Sequence, residues 1–278
     1  MNTNAPVVLI SGCSTGIGRA MAVEFASRDW RVFATARRPE VINDLKAPKV
    51  DVSALDVTDE TSIKTCVDSV IAKAGRIDML VNNAGLLLIG PLVELESDEL
   101  RRQFETNVIG LAALTRVVAP YMIEKRSGKI VNISSVSGVL PTPFAGAYCS
   151  TKAALTAFSD SLRMELAPFG VQVITVQPGG IKSNLSVNAD RELERFRKTL
   201  YGPIQDFIVA RAHASQEKAT PAKDFAKKLV DKLAQKDTPG MIRLGKDSRL
   251  MPFIARFPRA FTDALLCKKF GLNKLRAG

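Results

Sequence analysis

Apolar residues in this chain come in short runs that alternate with stretches of helical spacing. Val, Ile and Leu dominate residues 7–11, 31–35, 50–55, 77–81, 129–134 and 171–177, and a helix-like segment follows each run. Strands that are apolar at nearly every position are buried on both faces, so six parallel strands are predicted. Helices are predicted over 16–28, 59–73, 98–125, 148–167, 190–211 and 221–235, with starts at Thr58 before Asp59 and at Ser97 before Asp98 and Glu99. This rhythm predicts an α/β fold with a doubly wound, Rossmann-like parallel sheet. Past Gly180 the alternation gives way to a helix-rich stretch with one more strand at 241–244 and an apolar, basic tail.

At 278 residues and 46% hydrophobic content, with no repeat or linker, the chain is expected to form a single domain. Residues 6–185 would be the core and 186–278 a helical substrate lobe. The apolar stretch around 79–95 is broken by Asn82, Asn83, Gly85, Gly90 and Pro91, so no membrane span of roughly 20 residues is expected. Residues 1–6 hold no basic segment leading into an apolar run, and a cytoplasmic location is the default. Cysteines at 13, 66, 149 and 267 form no CxxC pair and no metal-ligand spacing, so no metal is expected. With His213 the only histidine and no G-x-S-x-G turn, a Ser/His hydrolase has little support. The net charge of +11 is uneven: residues 1–188 hold 19 Lys/Arg against 18 Asp/Glu, and residues 189–278 hold 20 against 10. Such a basic lobe can meet nucleic acid, an anionic membrane or an acidic substrate, or only solvent.

Directly after the first strand comes Gly12-Cys13-Ser14-Thr15-Gly16-Ile17-Gly18, leading into a helix. Glycines at a strand-to-helix turn let the backbone approach a pyrophosphate, and the helix N-terminus offers free N–H groups. The spacing departs from the G-x-G-x-x-G dinucleotide fingerprint. The second strand ends in Ala36-Arg37-Arg38 and lacks the acid that holds the ribose 2′-hydroxyl of NAD, which favours NADP. Asp56 and Val57 close the third strand beside the expected adenine, and Asn82-Asn83-Ala84-Gly85 closes the fourth beside the same crevice.

Tyr148 and Lys152 stand four apart at the start of a helix, hence on one face. A nearby ammonium is expected to lower the phenol pKa and fit Tyr148 for acid–base work. Ser135, at the end of the fifth strand, could hydrogen-bond the reacting oxygen, and Asn107 could hold a water joining Lys152 to solvent.

With Gly12, Gly16, Gly18, Asn82-Asn83-Ala84-Gly85, Asn107, Ser135, Tyr148, Lys152 and Pro178-Gly179 in that order, the chain resembles the short-chain dehydrogenase/reductase family. The resemblance implies a seven-stranded sheet and NADP(H)-dependent carbonyl/alcohol interconversion, with Tyr148 as general acid/base. It further implies that Lys152 binds the nicotinamide ribose, Ser135 orients the substrate oxygen and Asn107 anchors a proton relay. Ile181 and Ser183 look like contacts to the nicotinamide amide. By the same resemblance the helices over 98–125 and 148–167 meet a partner in a homodimer or homotetramer. The run at 35–38 and the basic tail are also similar to acyl-glycerone-phosphate reductases and hydroxysteroid dehydrogenases.

Val139, Leu140, Pro141, Pro143 and Phe144 suggest an apolar pocket for a lipid-like carbonyl or alcohol. In the tail, Leu250, Ile254, Phe257, Phe261 and Leu265 recur at spacings of three and four between Arg249, Arg256, Arg259, Lys268 and Lys269, with Pro258 dividing two short helices. This face either covers the cleft as core or forms a lid in which residues 249–272 meet an anionic membrane. A non-catalytic NADP-binding scaffold is separated from an enzyme by turnover of any ketone. A nucleic-acid-binding protein is not expected, since no nucleic-acid motif is present.

Overall fold

In the computed structural model, which describes residues 5–183 and 192–275, the apolar runs form one sheet of seven parallel strands. The strands are β1 (Val7–Ile10), β2 (Arg31–Ala36), β3 (Val50–Ala54), β4 (Met79–Asn82), β5 (Gly128–Ile133), β6 (Val171–Pro178) and β7 (Met241–Leu244). Their order is β3-β2-β1-β4-β5-β6-β7, and the direction of winding reverses between β1 and β4. That reversal opens a crevice at the carboxyl ends of the strands.

The helices over the core are α1 (Gly16–Ala26), α2 (Glu60–Ala74), α3 (Ser97–Phe104), α4 (Gly110–Glu124) and α5 (Gly146–Leu166). Beyond β6 come α6 (Gln205–His213), α7 (Ala222–Leu233), α8 (Leu250–Ile254) and α9 (Arg259–Lys269). One face of the sheet packs Val8, Ile10 and Ile174 against Met21 and Phe25 of α1 and Phe225 and Leu229 of α7. The other packs Leu9, Leu80 and Val173 against Ile63 and Val67 of α2 and Leu114 and Val118 of α4. A third cluster lies under the lobe, where Leu140 and Phe144 meet Phe196, Ile208 and Leu266.

Several sequence expectations are corrected. The cap of α2 is Asp59, which accepts from the Thr61 N–H at 2.8 Å, and not Thr58. At α3 the N-cap is Glu96, whose N–H donates to Glu99 at 3.0 Å, and Ser97 is already helical. The helix expected over 190–211 is broken: Asp190 lies outside the described residues, Glu194–Lys198 is a 3-10 turn, and α6 starts only at Gln205, after Gly202 and Pro203. A spanning-length helix also exists. Ser97–Glu124 runs for 28 residues and is long and apolar enough to cross a membrane by length and composition. Its apolarity is explained by packing, since Leu111, Leu114, Val118 and Met122 are buried.

In the tail, Pro258 does divide two helices, but they share no single inward face. Ile254 packs on the third cluster, whereas Leu250, Phe257, Phe261 and Leu265 are exposed. The break at Pro258 resets the helical phase, so Leu266 and Phe270 turn inward instead.

Candidate active site

One cleft of about 560 Å³ opens where β1, β4 and β5 end. Of the residues singled out from sequence, it is lined by Gly12, Ser14, Thr15, Gly16, Ile17, Arg37, Arg38, Asp56 and Val57 on one side. Asn83, Ala84, Gly85, Ser135, Tyr148, Lys152, Pro178, Gly179, Ile181 and Ser183 complete it. Gly18 and Asn107 stand behind its wall.

The glycine turn is built by close approach. Gly12 has φ +75°, and a Cβ there would sit 2.8 Å from the Ala84 Cα. A Cβ on Gly18 would lie 2.5 Å from the Gly12 carbonyl oxygen. Asn83 closes the turn, its Nδ2 donating to the carbonyls of Ser11 at 3.0 Å and Gly12 at 2.9 Å. Thr15, the N-cap of α1, makes no side-chain capping bond, and no acid sits in the first turn. The N-terminal N–H groups of this eleven-residue helix therefore face the cleft available to an anion, which fits a pyrophosphate. Cys13 is buried, and desolvation pushes its thiol up to about 12, so it stays neutral.

At the end of β2, Arg37 and Arg38 are exposed on the rim while Ala36 leaves space. Asp56 accepts from the N–H of Thr58 at 3.0 Å and from its hydroxyl at 2.8 Å, which orients its carboxylate.

The reactive face is carried by β5 and α5. Tyr148 and Lys152 rise one turn apart on α5, with the Lys152 Nζ 5.6 Å from the centre of the tyrosine ring. Lys152 is buried and donates to the Ile133 carbonyl at 2.8 Å, and Ser134 Oγ fastens the helix by donating to the Lys152 carbonyl at 2.9 Å. Desolvation lowers the lysine to about 8. The shift of Tyr148 has its largest causes elsewhere than in Lys152. Burial pushes the half-buried phenol up to about 12, and what holds it down is the hydrogen bond with Ser135 first and the charge of Arg211 after it.

Asn107 lies in a π turn, Glu105–Ile109, that widens the helix between α3 and α4. Both its donor hydrogens and its oxygen are engaged: Nδ2 donates to the Leu86 carbonyl at 3.0 Å and to Thr151 Oγ1 at 3.1 Å, and Oδ1 accepts from the Leu86 N–H at 2.9 Å. It ties the loop after β4 to α5.

Sequence reasoning missed three wall residues. Gln216 accepts from the Ser183 N–H at 2.9 Å and donates to the Ile181 carbonyl at 3.3 Å, so it staples the segment after β6. Thr142 and Arg211 meet beside Tyr148, with the Arg211 Nε donating to Thr142 Oγ1 at 2.9 Å. These residues belong to no local motif and come together only through the fold. The apolar wall expected from 139–144 is also corrected. Leu140 and Phe144 point into the third cluster, and Thr142 is the member of that run in the cleft. Apolar lining comes instead from Leu86, Leu87, Val136, Met251 and Phe270.

Comparison with known proteins gives one consistent result. Residues 6–194 match the family described as short chain dehydrogenase. An uncharacterized oxidoreductase of Bacillus subtilis, YusZ, is 34% identical, covering 96% of this chain and 99% of its own. An NADPH-dependent 1-acyldihydroxyacetone phosphate reductase of Schizosaccharomyces pombe is 31% identical over 86% of this chain and 79% of its own. The crystal structure of a short-chain dehydrogenase from Streptomyces avermitilis superposes with a TM-score of 0.77 at 32% identity, covering 98% of this chain and 97% of that one.

Proposed function

The chain belongs to the short-chain dehydrogenase family and is an oxidoreductase, and we propose that it interconverts a carbonyl and an alcohol with NADP(H) on an apolar or lipid-like small molecule. The observation that carries this is the meeting of Ser135, Tyr148 and Lys152 on the wall of the same cleft that the glycine turn lines.

When bound, the nicotinamide supplies or accepts the hydride. Gly12 to Gly18 and the free N–H groups of α1 would hold the pyrophosphate, with Asp56 and Val57 beside the adenine. Ile181 and Ser183 would meet the amide, held in place by Gln216. Arg37 and Arg38, with no acid among the residues that end β2, support a 2′-phosphate and hence NADP over NAD. In the reducing direction Tyr148 gives its proton to the substrate oxygen while the Ser135 hydroxyl steadies the growing negative charge. Lys152 would hold the ribose and offset the phenolate left on Tyr148. Asn107 ties Leu86 to Thr151, and a relay of the phenolic proton to solvent would pass along this seam.

The apolar lining supports a lipid-like substrate, and the tail supports a surface for reaching one. Leu250, Phe253, Phe257, Phe261 and Leu265 are exposed together, with Phe253 and Phe257 in edge contact at 5.5 Å. Arg249, Arg256, Arg259, Lys268 and Lys269 surround them, and Met251, Lys269 and Phe270 border the cleft. Residues 249–272 would thus rest the cleft mouth on an anionic membrane. Free thiols at all four cysteines suit the reducing cytoplasm. Ile109 and Met164, exposed on the long helices, suit a homodimer or homotetramer.

The test is a panel of ketones and aldehydes with NADPH and NADH, comparing wild type with Tyr148→Phe. We expect NADPH to be oxidised by wild type, and the variant to bind NADPH while losing turnover by on the order of a hundredfold or more. A Tyr148→Phe protein with near-normal kcat refutes the mechanism.

A further inference from the structure

We propose that Arg211 is a substrate-binding residue that recognises an oxyanionic group, a carboxylate or a phosphate, carried by the substrate close to its reacting carbonyl. This rests on the oxidoreductase reading above and names the chemical class that it left open. Arg211 projects from α6 into the cleft wall beside Tyr148 and is only 8% exposed. Its Nε is bound to Thr142 Oγ1, and its Cζ lies 6.0 Å from the centre of the Phe270 ring. Among the described residues no carboxylate is within ion-pair distance of it, whereas Arg76 and Arg195 each have one and Arg28 has two.

A guanidinium does not shed its proton, so burial cannot neutralise it. Removing such a charge from water without a counter-ion costs several kcal/mol, a penalty seldom retained unless a ligand offsets it. The partners in place, a hydroxyl and an aromatic face, leave N–H groups of the planar fork for a group with two oxygens. The surroundings agree. Arg102, Lys246 and Lys269 line the cleft, and its acids are Asp56, at the adenine end, and Asp247. The glycine turn and Arg37 stand at the ends of β1 and β2, whereas Arg211 and Tyr148 come from α6 and α5. Arg211 also acts on Tyr148 through its charge. An anion seated on Arg211 therefore shares the cleft with the oxygen that Tyr148 protonates, and the substrate is an amphiphile whose charged end enters first.

The test uses the NADPH-loaded full-length protein with an octanone, the matching oxo-octanoate and the matching oxo-octyl phosphate. We expect kcat/KM for at least one charged ketone to exceed that of the neutral one by about tenfold or more, mostly through KM. The carboxylate and phosphate arms tell which oxyanion is meant. Arg211→Met should remove the advantage and Arg211→Lys should keep part of it, and octanoate or octyl phosphate should compete with the neutral ketone in wild type but not in Arg211→Met. A wild type that reduces the neutral ketone as well as both charged ones overturns the proposal without need of any variant, as does an Arg211→Met protein that keeps the preference. If no carbonyl is turned over, yet octanoate or octyl phosphate binds wild type and not Arg211→Met by calorimetry, the carbonyl–alcohol reading fails and the anion site stands.

Discussion

Arg37 and Arg38 are exposed at the cleft rim, so their contribution to binding should be separable from stability. Replacing Arg37 by Ala is expected to raise KM for NADPH by an amount worth about 1.5–3 kcal/mol, the size of lost charge-assisted hydrogen bonds, while KM for NADH stays nearly constant. Steady-state kinetics with both cofactors decide it, and equal losses would remove the 2′-phosphate assignment. Lys152 gives a second expectation. Its pKa, lowered to about 8 by burial, means that the cation is complete below that pH and disappears above it, whereas Tyr148, raised to about 12, keeps its proton throughout. Carbonyl reduction, which uses both the phenol and the cation, should therefore decline as pH rises through about 8. A kcat/KM profile that is flat from roughly pH 6 to pH 10 would show that the lysine's charge is not used.

Single elements bring distant residues to these groups, and the π turn between α3 and α4 is the clearest case. Asn107→Ala removes three hydrogen bonds to Leu86 and Thr151 and leaves buried partners unpaired, which should cost on the order of 2–3 kcal/mol and lower both Tm and kcat. Thermal unfolding with Asn107→Asp and Asn107→Leu beside it tests this; a Tm unchanged in all three would mean that the seam between the loop and α5 holds without it. The seven strands were legible in the sequence because two-face burial leaves consecutive apolar residues that local patterning exposes, and four helical stretches over the core were legible with them, α3 and α4 being read as one helix without the π turn between them. The cleft's cofactor side was legible too, since Gly12 to Gly18, Arg37, Asp56 and the run from Asn82 to Gly85 each sit at a strand end. Arg211, Thr142 and Gln216 were not, because they lie on separate segments that meet only in the fold, where Ile208 of α6 shares the third cluster with Leu140 and Phe144. The helix expected over 190–211 failed for a related reason: its apolar positions serve the third cluster through 3-10 turns, with Gly202 and Pro203 interrupting.

At the scale of the molecule, the uneven charge becomes a surface. The exposed Phe and Leu side chains of α8, α9 and their connecting turn sit among five cations beside the cleft mouth. Each near-surface cation is worth about 1 kcal/mol against an anionic bilayer, so the group acts together while single changes hide. Co-sedimentation should show the protein on anionic vesicles at low salt, released by high salt and by replacing all five cations with Gln. Wild type that stays in solution with anionic vesicles would leave this face to solvent.

The packing of α1 on α7 has a consequence for how the chain is made. Met21 and Phe25 share a core with Phe225 and Leu229, and Arg28 pairs with Asp231 at 2.6 Å, so some two hundred residues separate the partners. A ribosome adding about 5–20 residues per second exposes the first strands for on the order of 10–40 s before α7 emerges to cover them. During that interval Val8, Ile10 and Val32 would be protected only by α1 or by a chaperone, and a nascent chain stalled near Gly180 would be a poor monomer however complete its catalytic residues.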